Sequence, residues 1–321
     1  MSAEERESVG DETAPSADRS LRFVLVDVFA DRPLAGNPLA VFPRAEGVTD
    51  ARMQRIAREM DHAATAFLAP ASIREAAFRL RIFSREREIP FAGHPALGAH
   101  YVHATESGTA LPEGITRLAH EGAEGLFEVE ARVRGGSIDL LRLTQRLPEF
   151  GPRLPDEEVV ELAAALRLQE KDIQATNQPV KIASTGLPTL IVPVSTLAAL
   201  ENVRPRYDLL RRLLDGRDAT LVYAFSKETQ DARAAAHARA FDTVGSVEVP
   251  GAGAAAGALA AYLVAHSAVT IHPLTAMTIE QGHGINRPST LFAEIQMSGP
   301  KINRVVVGGR VIRVGEGVLE M

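Results

Sequence analysis

The chain of 321 residues contains no cysteine and no tryptophan. Without cysteine it can form no disulfide, no thiolate zinc site and no thiol nucleophile, and a racemase mechanism with two thiol bases is excluded. Only four residues are lysine, whereas 31 are arginine. Schiff-base chemistry at a lysine is therefore not expected.

Long apolar runs and basic clusters are also missing. No apolar stretch reaches the roughly 18–20 residues that span a bilayer, and the longest, Ala252–Ala265, is short and predicts a buried helix. The net charge is −6, and no polybasic run occurs. We therefore expect a cytoplasmic protein with neither nucleic acid nor membrane as a partner.

The acidic residues are concentrated at the start of the chain. Residues 1–20 hold six acids and two arginines and show no apolar periodicity, which predicts a disordered acidic tail and no signal peptide. The remaining length suits two domains. The Pro-rich segment 148–155 is the predicted link, which gives domains at 21–150 and 151–321.

Periodicity within both domains predicts alternating strands and helices. Predicted helices follow Thr49–Asp50 and cover 94–103, 156–166, 209–214 and part of 246–265. Hairpins are predicted at 127–143 and at the end of the chain, the latter between 304–313 and 318–320. Further predicted strands are 22–29, 39–42, 65–68, 78–83, 183–194, 221–225, 234–241 and 290–297.

One pattern occurs in both halves. A strand runs into a glycine-bearing break and then into an apolar helix, once at Phe91–Gly98 and once at Val249–Gly257. This repetition suggests a structural duplication with two helix N-termini facing one cleft, and such termini suit a carboxylate. The alternative interpretation is two ordinary buried helices entered through tight turns.

Two other site types are disfavoured. The segment 251–257 has three residues before its last glycine, where a dinucleotide fingerprint has two, and it lacks the acidic residue about 20 positions on. His94, His100 and His103 would not share one helix face, and no carboxylate completes a ligand set. We expect neither a nicotinamide cofactor nor a metal.

Several polar side chains could handle a proton. His94 stands at the predicted first turn of a helix, after Gly93, where an imidazole can bind substrate or move a proton near neutral pH. Asp61 and His62, which follow a helix end, could act as a base and its orienting partner. Asp242 and Glu248 lie near the second glycine-rich break. For each residue, a solvated or packing role is the alternative.

Together these segments resemble the PhzF family, the phenazine-biosynthesis isomerase-like proteins, over nearly all of residues 21–321. The motifs that carry the resemblance are spaced along the chain in the family order. They are Val26–Phe29 with Gly36–Val41, Met53–Glu59 leading to Thr65–Phe67, Glu88–Gly98, Glu280–Gly282 with Arg287–Ser289, and Val307–Gly309 with Glu316–Gly317.

The resemblance implies an α+β fold like that of diaminopimelate epimerase and proline racemase. It implies two similar lobes, each a curled, mixed and mostly antiparallel sheet around a central helix, with the active site between them. A homodimer without cofactor is also implied. Family enzymes move a proton within a small conjugated acid, and they use a glutamate supported by His, Asp and Ser.

Four polar residues of the family pattern are missing here. The family glutamate position is Ala64, and the family Asp, Thr and Ser positions are Val249, Ala252 and Ala254. Since alanine carries no proton, the family mechanism cannot run unchanged. Backbone N–H groups survive these substitutions, which favours binding of an acid over the inherited chemistry.

The leading hypothesis is a divergent isomerase of secondary metabolism that shifts a proton or double bond in a small carboxylated intermediate. His94 would be the main proton-handling residue, with assistance from Asp61, His62 or Asp242. Backbone amides at Gly93–His94 and Gly251–Ala254 would hold the carboxylate, and the predicted substrate-binding residues are Gly93, Glu248, Gly251, Ala252, Gly253 and Ala254. The alternative is a non-catalytic pseudoenzyme that binds an acidic small molecule in the same cleft, and a structural partner protein is a third option.

Overall fold

The computed structural model describes residues 20–90, 93–108 and 110–320. Within these ranges the chain forms eighteen strands, seven α-helices and one 3₁₀ helix, which confirms the predicted α+β class. The helices are α1 (Asp50–Met60), α2 (Gly93–Glu106), α3 (Asp156–Leu166), α4 (Glu170–Gln174), α5 (Leu197–Glu201), α6 (Tyr207–Leu213) and α7 (Gly253–Ala265), and the 3₁₀ helix is His283–Ile285.

The first half of the chain contains nine strands. They are β1 (Ser20–Val28), β2 (Asn37–Phe42), β3 (Thr65–Ala69), β4 (Arg79–Phe83), β5 (Glu88–Ile89), β6 (Gly114–Gly122), β7 (Gly125–Arg134), β8 (Ser137–Gln145) and β9 (Glu149–Arg153). The second half contains β10 (Lys181–Ser184), β11 (Thr189–Pro193), β12 (Leu221–Ser226), β13 (Ala236–Asp242), β14 (Val247–Val249), β15 (Leu274–Gln281), β16 (Ser289–Ser298), β17 (Lys301–Gly309) and β18 (Val311–Glu320).

The strand pairings of the first half recur in the second. β2 pairs parallel with β3, which pairs antiparallel with β4, and β4 pairs antiparallel with β5 and parallel with β6. In the same order, β11 pairs parallel with β12, β12 antiparallel with β13, and β13 antiparallel with β14 and parallel with β15. α2 follows β5 as α7 follows β14. This repeated topology supports the predicted duplication, and the division into two lobes at residue 150 stays a prediction.

The last two strands connect the halves. β17 pairs antiparallel with β16 and with β8, whereas β18 pairs antiparallel with β1 along its whole length. The predicted closing hairpin of 304–313 with 318–320 is therefore wrong, because its two arms pair with different strands. The sequence pattern marks both arms as strands but does not specify their partners.

Helices α2 and α7 lie inside the core. One apolar cluster contains residues of both helices together with the inward side chains of the surrounding strands, among them Leu97, Leu259 and Ile295. Eleven of the thirteen residues of α7 are buried. Small residues allow the strands to approach, since a Cβ on Gly98 would lie 2.3 Å from Leu39 Cδ2. Two further clusters lie beneath α1 and beneath α3 and α6.

The predicted acidic tail falls almost entirely outside the described residues. Residues 1–19 belong to the undescribed part, and Ser20, the last residue of the predicted tail, already begins β1. Among the described helices, none is sufficiently long and apolar to cross a membrane.

Candidate active site

Helices α2 and α7 begin next to each other on one face of β8. Leu143 Cδ2 lies 3.7 Å from where a Cβ of Gly93 would stand, and Gln145 Nε2 donates a hydrogen bond to the Gly253 carbonyl at 3.0 Å. Residues 143 and 145 point to the same side of the strand and are about 7 Å apart along it. The two helices also contact each other. β8 therefore holds both helix N-termini close together.

The start of α7 retains free backbone donors. Within the described residues, the N–H groups of Gly253, Ala254 and Ala255 have no acceptor, whereas the N–H of Ala252 donates to Gln281 Oε1 at 3.2 Å. A helix N-terminus also carries a partial positive charge. The start of α7 can therefore bind a carboxylate without any polar side chain.

Phe29 explains the glycines at this turn. Its ring is buried, and a Cβ on Gly251, Gly253 or Gly309 would lie 2.9, 3.0 or 2.4 Å from ring atoms. Asn37 Nδ2 donates to the Gly251 carbonyl at 2.8 Å. Gly251 and Gly253 thus make room for Phe29, the aromatic residue that directly follows β1.

A polar contact fixes the first turns of α7. Thr185 Oγ1 donates to Gln145 Oε1 at 2.6 Å and is within 3.1 Å of the Ala254 carbonyl. A Cβ on Gly257 would lie 1.9 Å from Gln145 Oε1. Glycine is needed here because the glutamine side chain passes directly over the helix backbone.

His94, in the first turn of α2, is the side chain at this site best suited to handle a proton. Its Nε2 is buried and has no hydrogen-bond partner among the described residues. Burial and, to a smaller extent, the nearby His62 lower the pKa of His94 to about 4. The pKa of His62 is itself lowered by burial and by Arg287. Two neutral imidazoles therefore lie close together beside the helix N-termini.

A partly buried ion pair, Arg287 with Asp27, acts on the pKa of His62. Arg287 Nη2 donates to Asp27 Oδ1, and the same guanidinium donates to the carbonyls of Ala35 and Gly36, each at 3.1 Å. Asp27 Oδ2 accepts the N–H of Leu34 at 2.7 Å. The carboxylates of Asp61 and, to a smaller extent, Asp27 raise the pKa of His62, in opposition to Arg287. The pair thus holds the 33–38 turn and adjusts the charge state of His62.

The predicted carboxylates lie elsewhere. Asp61 caps α1 in a left-handed conformation, and its Oδ1 accepts Arg85 Nη1 at 2.7 Å on an exposed surface. Asp242 Oδ1 accepts the N–H of Val244 at 3.0 Å in a hairpin turn. Ala64 is 1% exposed within the apolar core. The structure therefore brings His62 to His94 and leaves Asp61 bound to an arginine.

Glu248 also points away from the helix N-termini. Its neighbour Val249 packs against the core that contains α7, and successive side chains of a strand face opposite sides. Glu248 instead pairs with Arg239, with Nη2 2.7 Å from Oε2. Among the described residues, no three His, Asp or Glu side chains gather so that they could hold a metal ion.

Four residues of the site were not identified from the sequence. Asp27 and Arg287 stand within two of the family motifs, so those motifs carried a signal that could have identified them. Gln145 and Thr185 lie at the ends of ordinary strand and turn segments. They contact α7 across separations of 108 and 69 residues, and no local pattern reports such contacts.

The sequence matches a known protein family over most of its length. Residues 26–317 match the family model for phenazine biosynthesis-like protein, PhzC-PhzF. The trans-2,3-dihydro-3-hydroxyanthranilate isomerase of Pseudomonas chlororaphis is 31% identical over 92% of this chain and 98% of its own.

Two solved structures share the fold. A predicted epimerase of Pseudomonas aeruginosa is 33% identical with a TM-score of 0.78, and the alignment covers 94% of this chain and 99% of the other. A PhzF-family phenazine biosynthesis protein of Bacillus anthracis has a TM-score of 0.85 at 24% identity, again over 94% and 99%. The chain therefore belongs to the PhzC-PhzF family of phenazine biosynthesis-like proteins.

Proposed function

We propose that the protein is a cofactor-independent isomerase that moves a proton, and with it a double bond, within a small unsaturated carboxylic acid. The observation that carries this proposal is the unpartnered Nε2 of His94, which lies beside His62 and close to the free N–H groups of α7. The helix N-termini would hold the substrate carboxylate, and the imidazoles would handle the proton.

The imidazoles replace a carboxylate base. Ala64 removes the family glutamate, so the base must be another group within reach of the cleft. In the resting protein the low pKa of His94 keeps its ring neutral at pH 7 and able to accept a proton. A carboxylate bound at the helix N-termini would favour the charged ring and raise its pKa. Substrate binding would thus strengthen the base that acts on it.

The proton balance needs no co-reactant. One neutral imidazole takes a proton from a carbon of the substrate, and the electrons of that C–H bond shift into the conjugated system. The imidazolium formed in this way returns the proton at another carbon after the substrate has turned, or passes it to the second imidazole, which returns it. The double bond moves and the charge is conserved, so no redox group takes part.

The substrate class follows from the family and from the substitutions. A 31% identical relative is named for isomerising trans-2,3-dihydro-3-hydroxyanthranilate, a small cyclic acid. Here Val249 and Ala252 pack against the apolar core, and Ala254 offers only a methyl group. We therefore propose a substrate of similar size with a more apolar ring.

Proton NMR in D₂O tests this proposal. The protein is incubated with trans-2,3-dihydro-3-hydroxyanthranilate and with a panel of cyclic unsaturated acids. We expect isomerisation of at least one acid with deuterium at the newly saturated carbon. No isomerisation and no carbon-bound deuterium across the panel would contradict the proposal.

A binding protein without turnover is the second candidate. The absence of all four family side chains, at Ala64, Val249, Ala252 and Ala254, favours it, because α7 keeps its donors while the cleft loses its carboxylates. Titration calorimetry on the same acid panel distinguishes the two candidates. Saturable binding without deuterium incorporation would identify the binder.

A further inference from the structure

A cavity lies on the other side of β14 from the candidate active site. It has a volume of about 630 Å³ and is lined by the side chains of Glu201, Tyr207, His237, Arg239, Glu248 and His283, and we call it the His237 cavity. Its size is in the range of small-molecule sites. Because Glu248 faces it while Val249 faces the core with α7, the His237 cavity is separate from the candidate active site.

Arg239 forms part of the floor, and its donors are already used. Its Nε and Nη2 donate to the two oxygens of Glu248 at 3.0 and 2.7 Å. Its Nη1 donates to the carbonyls of Leu200, Glu201 and Val203 at 3.0, 3.3 and 2.9 Å. Both side chains of the ion pair are less than a tenth exposed. The guanidinium therefore has little capacity left to bind an anion.

His237 presents a free nitrogen at this floor. The residue is 1% exposed, and its Nδ1 lies 2.9 Å from Glu280 Oε1. Glu280 also accepts the backbone N–H groups of Gln230 and Asp231, so its carboxylate acts only as an acceptor and Nδ1 of His237 carries the hydrogen. Within the described chain His237 Nε2 makes no hydrogen bond, and in the neutral ring it is an acceptor.

Two further groups lack partners. The ring of His283 lies 4.9 Å from that of His237, and its Nδ1 is buried with no hydrogen-bond partner in the described residues. The Tyr207 hydroxyl likewise has no hydrogen bond there. Burial, and then the nearby Glu248, raises the pKa of Tyr207 to about 12, so the hydroxyl stays protonated.

The rim of the His237 cavity adds a carboxylate that can accept hydrogen bonds from a ligand. Glu201 is exposed, and of its two carboxylate oxygens only Oε1 has a neighbour, Gln230 Nε2 at 3.2 Å. Arg204, also on the rim, directs Nη1 to the carbonyls of Glu201 and Val203, each at 2.8 Å. The cavity thus combines two lining carboxylates and free imidazole nitrogen with Arg239, whose donors are all used, and Arg204, of which only Nη1 is bound within the described residues.

We propose that the His237 cavity is a second ligand site that binds a small molecule with a primary ammonium group. The ammonium would donate to His237 Nε2 and to the carboxylates of Glu201 and Glu248, and its apolar part would pack on the Tyr207 ring, which also suits a cation. An acid would be repelled by Glu201 and Glu248, and among the lining arginines only Arg204 has donors left to hold it. This inference is independent of the proposed isomerase activity.

Calorimetry with two matched probes tests it. 2-Phenylethylammonium and 3-phenylpropanoate have the same ring and nearly the same length but opposite charge. We expect the cation to bind saturably and roughly tenfold more tightly than the anion. No saturable binding of the cation, or equal or tighter binding of the anion, would overturn the proposal.

Variants assign the binding to the cavity. Glu201→Gln removes an exposed carboxylate and Tyr207→Leu removes a half-exposed aromatic ring, and each should weaken binding of the cation roughly two- to fivefold. Glu157→Gln, the same exchange at an exposed position of α3, and His94→Gln, in the candidate active site, should leave the affinity unchanged. Binding that is insensitive to both cavity variants, or that is lost in His94→Gln, would show that the cation binds elsewhere.

Discussion

The starts of α2 and α7 share backbone geometry but differ in chemistry. Both begin at a glycine on the same face of β8, and both helices are buried in one core. α2 then presents His94, whereas the first four residues of α7 are only Gly253 and three alanines. The N–H groups at the start of α7 thus remain although the polar side chains are missing, and under the proposed function the proton chemistry would lie on the α2 side.

The largest expected effect is on turnover. His94→Gln keeps a polar side chain of similar size but removes the titratable ring, and we expect kcat to fall roughly 10²–10⁴-fold with little change in substrate affinity. His62→Gln should lower kcat as well, and His272→Gln, at an exposed position, serves as the matched control. Steady-state kinetics measures all three. A His94→Gln enzyme as fast as the parent would place the proton chemistry elsewhere.

Acid should destabilise the surroundings of α2. Burial lowers the pKa of His94 and of His120 to about 4, and the pKa of His100, whose Nε2 lies 3.0 Å from His120 Nδ1, is lowered as well. The unfolded chain therefore binds more protons between pH 6.5 and 4, and stability falls as the pH drops through that window.

Urea unfolding at a series of pH values measures this effect. The expected slope is about 1.4 kcal/mol per pH unit for each proton taken up on unfolding. His120→Phe, which keeps a ring between Phe78 and Phe127, should reduce the slope, and His272→Gln should not. A free energy of unfolding that is constant from pH 7 to pH 4 would contradict the assignment of neutral buried rings.

Glycine-to-alanine substitutions in α2 and α7 should differ in their effect on acid binding. In Gly257→Ala the new methyl would collide with Gln145 and push it from Thr185 and Gly253, with an expected loss of about 1–3 kcal/mol in the free energy of unfolding. In Gly98→Ala the methyl meets the apolar end of Leu39. We expect a stability loss in both variants but weaker acid binding only in Gly257→Ala.

A second substitution tests whether the collision with Gln145 causes the loss of stability in Gly257→Ala. Adding Gln145→Ala to Gly257→Ala removes the colliding atom, so the double variant should regain part of the lost stability in thermal unfolding. Equal stability of the single and double variants would show that the Gln145 contact does not limit the packing of α7.

The smallest expected effect comes from a charge at the start of α7. Ala254→Asp places a carboxylate in the first turn, where the helix dipole should stabilise the fold by about 0.3–1 kcal/mol. The same carboxylate would compete with an acidic substrate and raise KM, while Ala254→Asn should change both quantities less. If Ala254→Asp leaves KM unchanged, the substrate carboxylate does not bind at this helix.

Local patterns predicted most elements of the fold. The amphipathic segment 156–166 is a helix with those bounds, and the glycine pair 135–136 joins β7 to β8. Predictions failed where a strand pairs with another strand that is distant in the sequence. The terminal strands pair with β1 and β8, which are remote in sequence, and a local pattern does not specify such partners.

The site was predicted less completely for the same reason. The position of His94 at a helix start could be read from Gly93 and Pro95, which are adjacent to it in sequence. The sequence did not show that Glu248 would turn away to Arg239, because the side of a strand that faces the core depends on pairing. Nor did it show the contact of Gln145 with Gly253.

NMR titration of histidine-labelled protein, with and without benzoate as an unreactive carboxylate, tests the central claim most directly. We predict that the His94 ring titrates near pH 4 in the free protein and at clearly higher pH when benzoate binds between α2 and α7. A His94 pKa near 6.5 in the free protein, or one that does not respond to saturating benzoate, would contradict the account.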